Sequence, residues 1–483
     1  HQELTLSGVS VEKDGYYTLS FRARADGPRS FLVDVSRQGP PDWQAIGLSR
    51  TVHVTPEWQR FDWTFQAAET RDGNARICFK FGGSDEDLWL ADIRLRRGGR
   101  QVAVPEGQSI EGRNIGIPTD GWVPAARQDA RRFMVEVERG FARDIVRFLQ
   151  EDLGVKVPIT CSQISYHEPS VIAETCDYAD MHAYWQHPRF PGRPWDPANW
   201  RIVNTPMELA PGADSLSRLA TWRLLDRPFT VSEWNIPSPH DYGASVVPFA
   251  AMAAGLQDWD GVFFFQYHSR NEDWFADRVM NFFSFNGHPA RLVLLTAFAN
   301  AFHRGDLDPL GKVAAGTLDR RVPAALAMSR RVGIDPAADR PDAVDAPTGR
   351  LLATPDGSVL WDARDDRRAH VTLNAPATRA AWGLVAGQTF QLGGLKLAVG
   401  PVERDYAVII ATSLDGKPLE RARRILLAAV GSAENADMGW NEDRTSVSNQ
   451  WGRGPSLVNG IPMNVEIFGN VERAFALDGA GAR

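Results

Sequence analysis

Glu233 is the residue whose type and position best fit a chemical role. It ends an apolar segment, Phe229–Glu233, and Trp234 follows it directly. A carboxylate at the end of a buried strand is costly in free energy unless it is paired or used in chemistry. We therefore predict that Glu233 is a functional carboxylate. The alternative interpretation is a structural ion pair between Glu233 and an arginine.

His182 and Tyr184 end another apolar segment and are two residues apart. In a strand this spacing places both side chains on one face. Both can hydrogen-bond to a neighbouring carboxylate, which would fix its orientation and tune its pKa. We predict that they serve Glu233 in this way. The alternative is a pair of core side chains whose polar atoms are satisfied locally.

Further polar and aromatic side chains follow the same segments, and the chain has 16 tryptophans. Amides suit hydroxyl-rich ligands and flat rings can stack on them. The long loop after residue 185 also contains Trp195 and Trp200, although it could be a plain surface loop. The predicted substrate-binding residues are Gln163, Trp185, His187, Trp234, Asn235, Gln266 and Tyr267.

The sequence predicts neither a metal site nor a bound cofactor. His182 and His187 lack a third ligand at useful spacing, and no glycine-rich phosphate loop or Ser–His–Asp arrangement is present. The net charge of −7 argues against nucleic acid as the main partner. No apolar run reaches about 18 residues, so no membrane segment is expected. Three cysteines leave at least one unpaired, and a Cys161–Cys176 bridge stays open.

These candidate side chains need parallel strands whose carboxyl ends meet. Between residues 126 and 304, short apolar segments alternate with segments of helical periodicity, which is typical of parallel βα units. The predicted strands are Val157–Ser162, Tyr178–Tyr184, Phe229–Glu233 and Gly261–Tyr267. The predicted helices are Arg127–Leu153, Leu216–Leu225, Val247–Leu256 and Ala290–Phe302.

The flanking sequence predicts β structure. Short segments with period-two alternation, separated by Gly, Pro and Asp, indicate a β-sandwich at 1–97. A stretch rich in Gly and Pro predicts a linker at 98–125. Short strands recur from about residue 310 onward. We therefore predict a multidomain α/β plus β chain, with the α/β part at 126–304 and a C-terminal β-sandwich at 305–483.

Four of these segments together resemble glycoside hydrolases of clan A, the retaining enzymes built on a (β/α)8 barrel. The matching segments look like barrel strands five to eight and are Pro158–Gln163, Asp180–Trp185, Val231–Asn235 and Gly261–Tyr267. The resemblance implies a partial TIM-type barrel in which Glu233, on strand seven, is the nucleophile. It also implies that His182 or Tyr184 contacts that nucleophile.

The first 97 residues are similar to the jelly-roll carbohydrate-binding modules that are often joined to these enzymes. Tyr16–Arg24 and Glu57–Phe61 look like strands of that family, and Asp92 matches a common pattern in its final strand. The resemblance implies that three tryptophans stack on sugar rings, namely Trp43, Trp58 and Trp89.

The acid/base residue of the clan has no counterpart in this sequence. Clan A enzymes carry it as a Glu on strand four, and no strands one to four are predicted here. Glu168 could substitute, although its neighbours look like an ordinary loop and helix start. Either the first half of the barrel lies upstream of His1 or it is absent. A second copy of the chain could complete the half-barrel, because open sheet edges promote association.

The favoured function is hydrolysis of a β-linked polysaccharide or oligosaccharide by double displacement. This activity predicts a secreted or periplasmic protein whose signal peptide is not in this chain. The alternative is a non-catalytic carbohydrate-binding protein that keeps the sandwich and a half-barrel groove. The absent acid/base favours binding alone, whereas the pairing of Glu233 with His182 and Tyr184 favours an enzyme.

Overall fold

The structure is a computed structural model. It describes residues 2–39, 43–98, 108–109, 111–116, 124–269, 274–469, 471–478 and 481–482. Most of the predicted linker 98–125 lies outside these residues. The chain divides into two compact units, His1–Val137 and Glu138–Arg483. Among the described residues, no helix combines the length and apolar character needed to cross a bilayer.

The first unit contains a β-sandwich of seven strands, as predicted for residues 1–97. One sheet has the order β1-β6-β3-β4 and the other β5-β2-β7, and all pairs are antiparallel. Leu19 and Phe21 of one sheet share a core with Val33 and Phe79 of the other. The strands are β1 (Glu3–Val11), β2 (Tyr16–Ala25), β3 (Arg29–Arg37), β4 (Ala45–Val54), β5 (Gln59–Gln66), β6 (Arg71–Lys80) and β7 (Leu88–Arg97).

Helix α1 (Pro124–Arg147) spans the division between the units, and a π-helical turn, Phe148–Asp152, continues it. The second unit then alternates helices and strands, as predicted. Three strands form a parallel sheet with the order β10-β9-β8. The elements are α2 (Pro169–Thr175), β8 (Ala179–Tyr184), α3 (Ser215–Ala220), β9 (Phe229–Asn235), α4 (Val246–Gln257), β10 (Gly261–Phe264) and α5 (Pro289–Arg304).

The strand predicted at 157–162 does not form, so the parallel sheet has three strands rather than four. In place of this strand, the described chain beside β8 forms only short contacts, which are a backbone hydrogen bond from Asp177 to Ile159 at 2.8 Å and an isolated bridge between Gln163 and Asp180. Val157 is 68% exposed and every residue from 157 to 162 is exposed or half-buried, so the segment is not enclosed as an inner strand of a sheet would be. Pro158 also lacks the amide hydrogen that a ladder requires. The prediction was wrong because it took a short apolar run for a buried strand.

The remainder of the second unit is β structure, as predicted from about residue 310. A six-stranded antiparallel sheet has the order β13-β14-β15-β16-β19-β20 beside a sheet β17-β18-β23, and two smaller pairs are β11-β12 and β21-β22. The strands are β11 (Val313–Gly316), β12 (Arg331–Ile334), β13 (Leu351–Ala353), β14 (Val359–Asp362), β15 (His370–Asn374), β16 (Thr378–Leu384), β17 (Thr389–Leu392), β18 (Leu395–Val399), β19 (Tyr406–Ser413), β20 (Ile425–Val430), β21 (Ala433–Ala436), β22 (Arg453–Val458) and β23 (Met463–Ile467).

The six-stranded sheet is covered on both faces. On one face, the Trp382 ring lies 5.6 Å from Phe249 of α4 and 6.3 Å from Phe298 of α5. On the other face, Ile409 packs in a core with Leu397 of β18. The helices that cover the parallel sheet therefore share their core with the six-stranded sheet. The predicted division at residue 304 lies inside this unit.

Candidate active site at the ends of the parallel strands

Glu233 lies near the carboxyl end of β9, beside an irregularity in the strand. Val231 pairs with Met181 and Glu233 pairs with His182, so Ser232 is an extra residue that forms a β-bulge. In a regular strand Glu233 would face the same side as the fully buried Val231. The bulge breaks that alternation, and the Glu233 side chain is 30% exposed. The local fold thus brings a carboxylate to the surface from an apolar strand.

Tyr184 and His182 both lie beside the same carboxylate oxygen, and the hydrogen bond predicted for each of them forms with Tyr184 alone. The Tyr184 hydroxyl donates a hydrogen bond to Oε2 of Glu233. Nδ1 of His182 lies 3.6 Å from that Oε2. Burial, and then the hydrogen bond and charge of Glu233, raise the pKa of Tyr184. The phenol therefore keeps its proton and remains a hydrogen-bond donor to the carboxylate.

A chain of hydrogen bonds fixes the His182 ring. Oε1 of Gln163 accepts from the backbone N–H of His182 at 3.0 Å, so its amide nitrogen is left to donate to Nδ1 at 3.2 Å. Nε2 of His182 then donates to the Ser232 hydroxyl at 2.6 Å. That hydroxyl donates in turn to Asp180 at 2.5 Å. The ring is thereby held in one orientation beside Glu233.

Three predicted substrate-binding residues are turned into the protein. Gln163 is 7% exposed, and both polar atoms of its amide form hydrogen bonds with His182. The Trp234 indole is fully buried and donates to the Val246 carbonyl at 2.8 Å. Asn235 is fully buried and donates to the carbonyl of Phe283 at 2.8 Å. The prediction that these side chains contact substrate was wrong, because the bulge at Ser232 turns Trp234 into the core and the polar atoms of all three side chains bond within the protein.

Arg291 of α5 hydrogen-bonds to the end of β9, and it was not among the predicted site residues. Its guanidinium donates to Oδ1 of Asn235 at 3.2 Å, to the Ile236 carbonyl and to the Gly243 carbonyl at 3.2 Å. Burial lowers the pKa of Arg291 to about 9, so the group is still charged at neutral pH. Its spacing from Leu294 and Phe298 on the buried helix face was the signal that could have revealed it.

An aromatic wall adjoins Tyr184. The His187 ring lies 5.4 Å from Tyr184 and 5.6 Å from Trp195, which is 57% exposed. These rings offer a surface for stacking next to Glu233. Trp185 is half-buried and donates to the Thr205 carbonyl at 2.9 Å.

Trp200, from the same loop, belongs to a separate core. It is 1% exposed and packs 4.9 Å from the Phe282 ring. Its indole nitrogen donates to the carbonyl oxygens of Pro197 and Ser448. Trp200 is therefore a structural residue and does not contribute to a stacking surface in this loop.

The segment after β10 supplies a second aromatic surface. The Phe265 ring lies 6.5 Å from that of Tyr184, which connects this strand end to the Glu233 site. Tyr267 is 49% exposed and its ring lies 5.6 Å from the exposed Trp274. Gln266 is half-buried, and its backbone N–H donates to the Phe283 carbonyl at 3.0 Å.

The three tryptophans predicted as sugar platforms in the first unit do not share one surface. Trp43 stacks 4.4 Å above Arg76, which lies on β6 in the four-stranded sheet. Trp89 stacks 4.3 Å from Arg24, on β2 in the three-stranded sheet, and Trp58 lies 5.6 Å from the same guanidinium. The outer faces of the two sheets of a sandwich point in opposite directions. The predicted set therefore divides into two separate surfaces.

Comparisons with known proteins give short or distant matches. No protein-family model and no curated protein sequence matches the chain. The chain is similar to the solved structure described as "CBM4 structure and function", with 27% identity over 20% of this chain and 73% of that one, and a TM-score of 0.18. It is also similar to the N-terminal cellulose-binding domain of β-1,4-glucanase C from Cellulomonas fimi, with 26% identity over 20% and 70% of the two chains and a TM-score of 0.19. A third similarity, to an arabinose-bound MgGH51 α-L-arabinofuranosidase, covers 95% and 84% of the two chains at 9% identity and a TM-score of 0.16.

Proposed function

We propose that this chain binds carbohydrate and that Glu233 is the nucleophile of a retaining glycoside hydrolase site. The observation that carries the proposal is the Glu233 carboxylate itself, which is 30% exposed at the carboxyl ends of parallel strands and accepts a hydrogen bond from Tyr184. In parallel α/β folds, catalytic side chains gather at these strand ends. The neighbouring rings of His187 and Trp195 add a stacking surface. The proposed substrate class is a β-linked polysaccharide or oligosaccharide.

The proposed chemistry is double displacement at an anomeric carbon. Tyr184 binds Oε2 of Glu233, so Oε1 is the oxygen that would attack the sugar. Attack forms a glycosyl-enzyme ester and expels the leaving-group oxygen, which takes a proton from an acid. A water molecule then adds at the anomeric carbon and gives its proton to the deprotonated acid, which releases the sugar and restores both carboxyl groups to their starting states. The phenol of Tyr184 would hold the carboxylate in place through both steps.

Two acidic side chains of the second unit, Asp180 and Glu168, are engaged with other residues. Asp180 is 5% exposed, and its oxygens accept hydrogen bonds from Thr230 and Ser232 of β9. Glu168 is close enough to Arg321 for its charge to act on that guanidinium. An acid from a preceding chain segment or from a second copy of this chain remains part of the proposal.

An activated substrate tests the nucleophile without requiring an acid. A dinitrophenyl 2-deoxy-2-fluoroglycoside has a leaving group that departs unprotonated, and its fluorine slows release of the glycosyl-enzyme. We would incubate the full chain with gluco, galacto, xylo and arabino versions and analyse peptides by mass spectrometry. We expect one fluoroglycosyl group on the peptide that contains Glu233. Glu233→Gln should abolish this label, and the exposed Glu466→Gln should retain it.

The second candidate function is carbohydrate binding without turnover. It is favoured by the missing strand at 157–162 and by the engagement of Asp180 within the sheet. If no reagent labels Glu233 while the chain still binds polysaccharide in calorimetry, the hydrolase proposal fails and binding alone remains. Mass measurement in solution at the same time would decide whether a second copy could contribute the acid.

A further inference from the structure

One outer surface of the first unit is rich in arginine. The side chains of β2, β5 and β7 form cross-strand rows, because Arg22 pairs with Arg60 and Ser20 pairs with both Asp62 and Arg94. In each strand these positions alternate with core residues, so the rows face away from the sandwich interior. We name this surface the arginine face, and its charged members are Arg22, Arg24, Arg60, Arg94, Arg96, Asp62 and Asp92.

The arginine face carries an excess of positive charge that is absent from the sandwich as a whole. Residues 1–97 contain thirteen basic and fourteen acidic side chains, whereas the face has five arginines and two aspartates. Both aspartates are already bound by an arginine of the face. Arg60 binds Asp62 at 2.6 Å, and Arg22 binds Asp92 at 2.7 Å. Three guanidinium charges therefore remain without a matching carboxylate on this surface.

Two of the remaining arginines extend into solvent from β7. Arg94 and Arg96 are both exposed and are two residues apart, so they lie on one face of the strand. Among the residues that the structure describes, no ion pair involves either of them. A planar guanidinium with unused N–H groups is suited to bind a carboxylate or sulfate through two parallel hydrogen bonds.

The third arginine, Arg24, stacks against two indole rings. The Arg24 guanidinium lies 4.3 Å from the Trp89 ring and 5.6 Å from the Trp58 ring. Its Nε is buried and has no hydrogen-bond partner among the described residues. Stacking on aromatic rings restricts the side chain before any ligand arrives, which lowers the entropy cost of binding an anion. Exposed edges of the same rings offer apolar contact to a sugar.

We propose that the arginine face binds an acidic polysaccharide, a chain of sugars that carry carboxylate or sulfate groups. The inference rests on the proposed carbohydrate-binding function and adds the charge class of the ligand. Asp62 and Asp92 also lie within the face, and a DNA strand has no backbone hydroxyl groups that could donate to their carboxylates. Sugar hydroxyls can instead donate hydrogen bonds to these carboxylates while the anionic groups bind Arg24, Arg94 and Arg96. Mixed charge therefore fits an acidic glycan better.

Calorimetry with the full chain tests this assignment. The ligands are a galacturonate oligosaccharide, a sulfated galactan oligosaccharide, a neutral cello-oligosaccharide and a single-stranded oligodeoxynucleotide. We expect at least one acidic oligosaccharide to bind, with an affinity that falls about tenfold or more when salt rises from about 50 to about 500 mM. Arg94→Ala with Arg96→Ala should weaken that binding about tenfold. The control, Lys13→Ala with Arg473→Ala, removes the same charge elsewhere and should leave it unchanged.

Three results would overturn the assignment. They are the absence of binding by both acidic oligosaccharides, an affinity for the oligodeoxynucleotide that matches theirs, and an unchanged affinity in the double variant. A melting temperature equal to that of the parent would show that the double variant is folded. Binding of the neutral oligosaccharide and labelling of Glu233 are separate readouts, so they report on the proposed function independently of the arginine face.

Discussion

The Tyr184 hydroxyl donates a hydrogen bond to Oε2 of Glu233, and the two residues belong to neighbouring parallel strands. In the register of β8 and β9, Tyr184 pairs with Asn235, while Glu233 pairs with His182. Tyr184 lies two residues beyond His182 in β8, and its hydroxyl contacts Glu233 on the neighbouring strand β9. The bulge at Ser232 makes this contact possible, because it moves Glu233 out of the alternation that buries Val231.

Tyr184→Phe should slow labelling of Glu233 by an activated fluoroglycoside about 10- to 100-fold. The change removes one hydrogen bond to a charged group, which is worth roughly 1.5–3 kcal/mol. Labelling rates followed by mass spectrometry measure the effect. Tyr178→Phe is the matched control, because Tyr178 precedes β8 at its opposite end. Equal rates for Tyr184→Phe and the parent would contradict a role for this phenol at the nucleophile.

A double-mutant cycle tests whether Gln163 acts through His182. Gln163 contacts both the ring and the backbone amide of His182 and is nearly buried, so we infer a positioning role. Gln163→Ala and His182→Ala should each slow labelling of Glu233. Together they should slow it by less than the product of the two effects, with a coupling of about 1 kcal/mol. If the two substitutions slow labelling by factors that simply multiply, Gln163 and His182 act independently and the positioning role of Gln163 is wrong.

The sequence was most informative where an apolar strand ends in polar residues. The segment Phe229–Asn235 and the pair His182 and Tyr184 sufficed to predict that the side chains of Glu233, His182 and Tyr184 lie close together. The bulge at Ser232 could not be predicted, because one extra residue in a parallel pair leaves no trace in composition or periodicity. It was therefore also impossible to tell that Trp234, one residue later, faces the core.

Other features could not be predicted because burial on both faces of an element removes the alternation of polar and apolar residues. Strand β19, Tyr406–Ser413, was predicted as β structure, but it is buried along its whole length, so its sequence does not show that the helices α4 and α5 cover one face of its sheet. Arg291 lies on the buried face of an otherwise apolar helix, and a sequence-based argument assigns such a charge to solvent. The contacts that hold it, with Asn235 and two backbone carbonyls, exist only in three dimensions.

The thiols of Cys161 and Cys176 are expected to form a disulfide bond on oxidation. Their Sγ atoms lie 3.0 Å apart, and Cys161 is exposed while Cys176 is buried. With glutathione disulfide, the Cys161 thiolate would displace one glutathione and the Cys176 thiolate would then displace the second. Partial desolvation of its sulfur atom and then the neighbouring thiol raise the pKa of Cys161, so the reaction should accelerate as pH rises from about 7 to about 9.

Peptide mapping without reduction measures this bond directly. A linked Cys161–Cys176 peptide should appear after oxidation, and the buried Cys78 should stay a free thiol. Cys161→Ser serves as the control and should prevent the link. Recovery of both cysteines as unmodified thiols, or as separate glutathione adducts after prolonged oxidation, would contradict the expected pairing.

Glu208 is a buried carboxylate that has no role in the proposed chemistry. Its Oε1 accepts a hydrogen bond from the Ser245 hydroxyl at 2.5 Å, and its Oε2 has no partner among the described residues. The Ser245 oxygen lies 2.7 Å from the Tyr406 hydroxyl beneath the six-stranded sheet. Burial raises the pKa of Glu208 from 4.5 to about 7, because no cation compensates the charge that ionisation would create.

Glu208 should therefore make the folded unit less stable as pH rises. Below pH 4.5 the Glu208 carboxyl is protonated in both the folded and the unfolded chain. Between pH 4.5 and about 7 only the folded chain keeps this proton. Above about pH 7 the carboxyl is ionised in both the folded and the unfolded chain. The free energy of unfolding should fall by about 3 kcal/mol across this window. Urea unfolding from pH 4 to pH 8 should show that Glu208→Gln removes this component, whereas the exposed Glu57→Gln keeps it. A constant difference between Glu208→Gln and the parent at every pH would rule out a raised pKa as the cause.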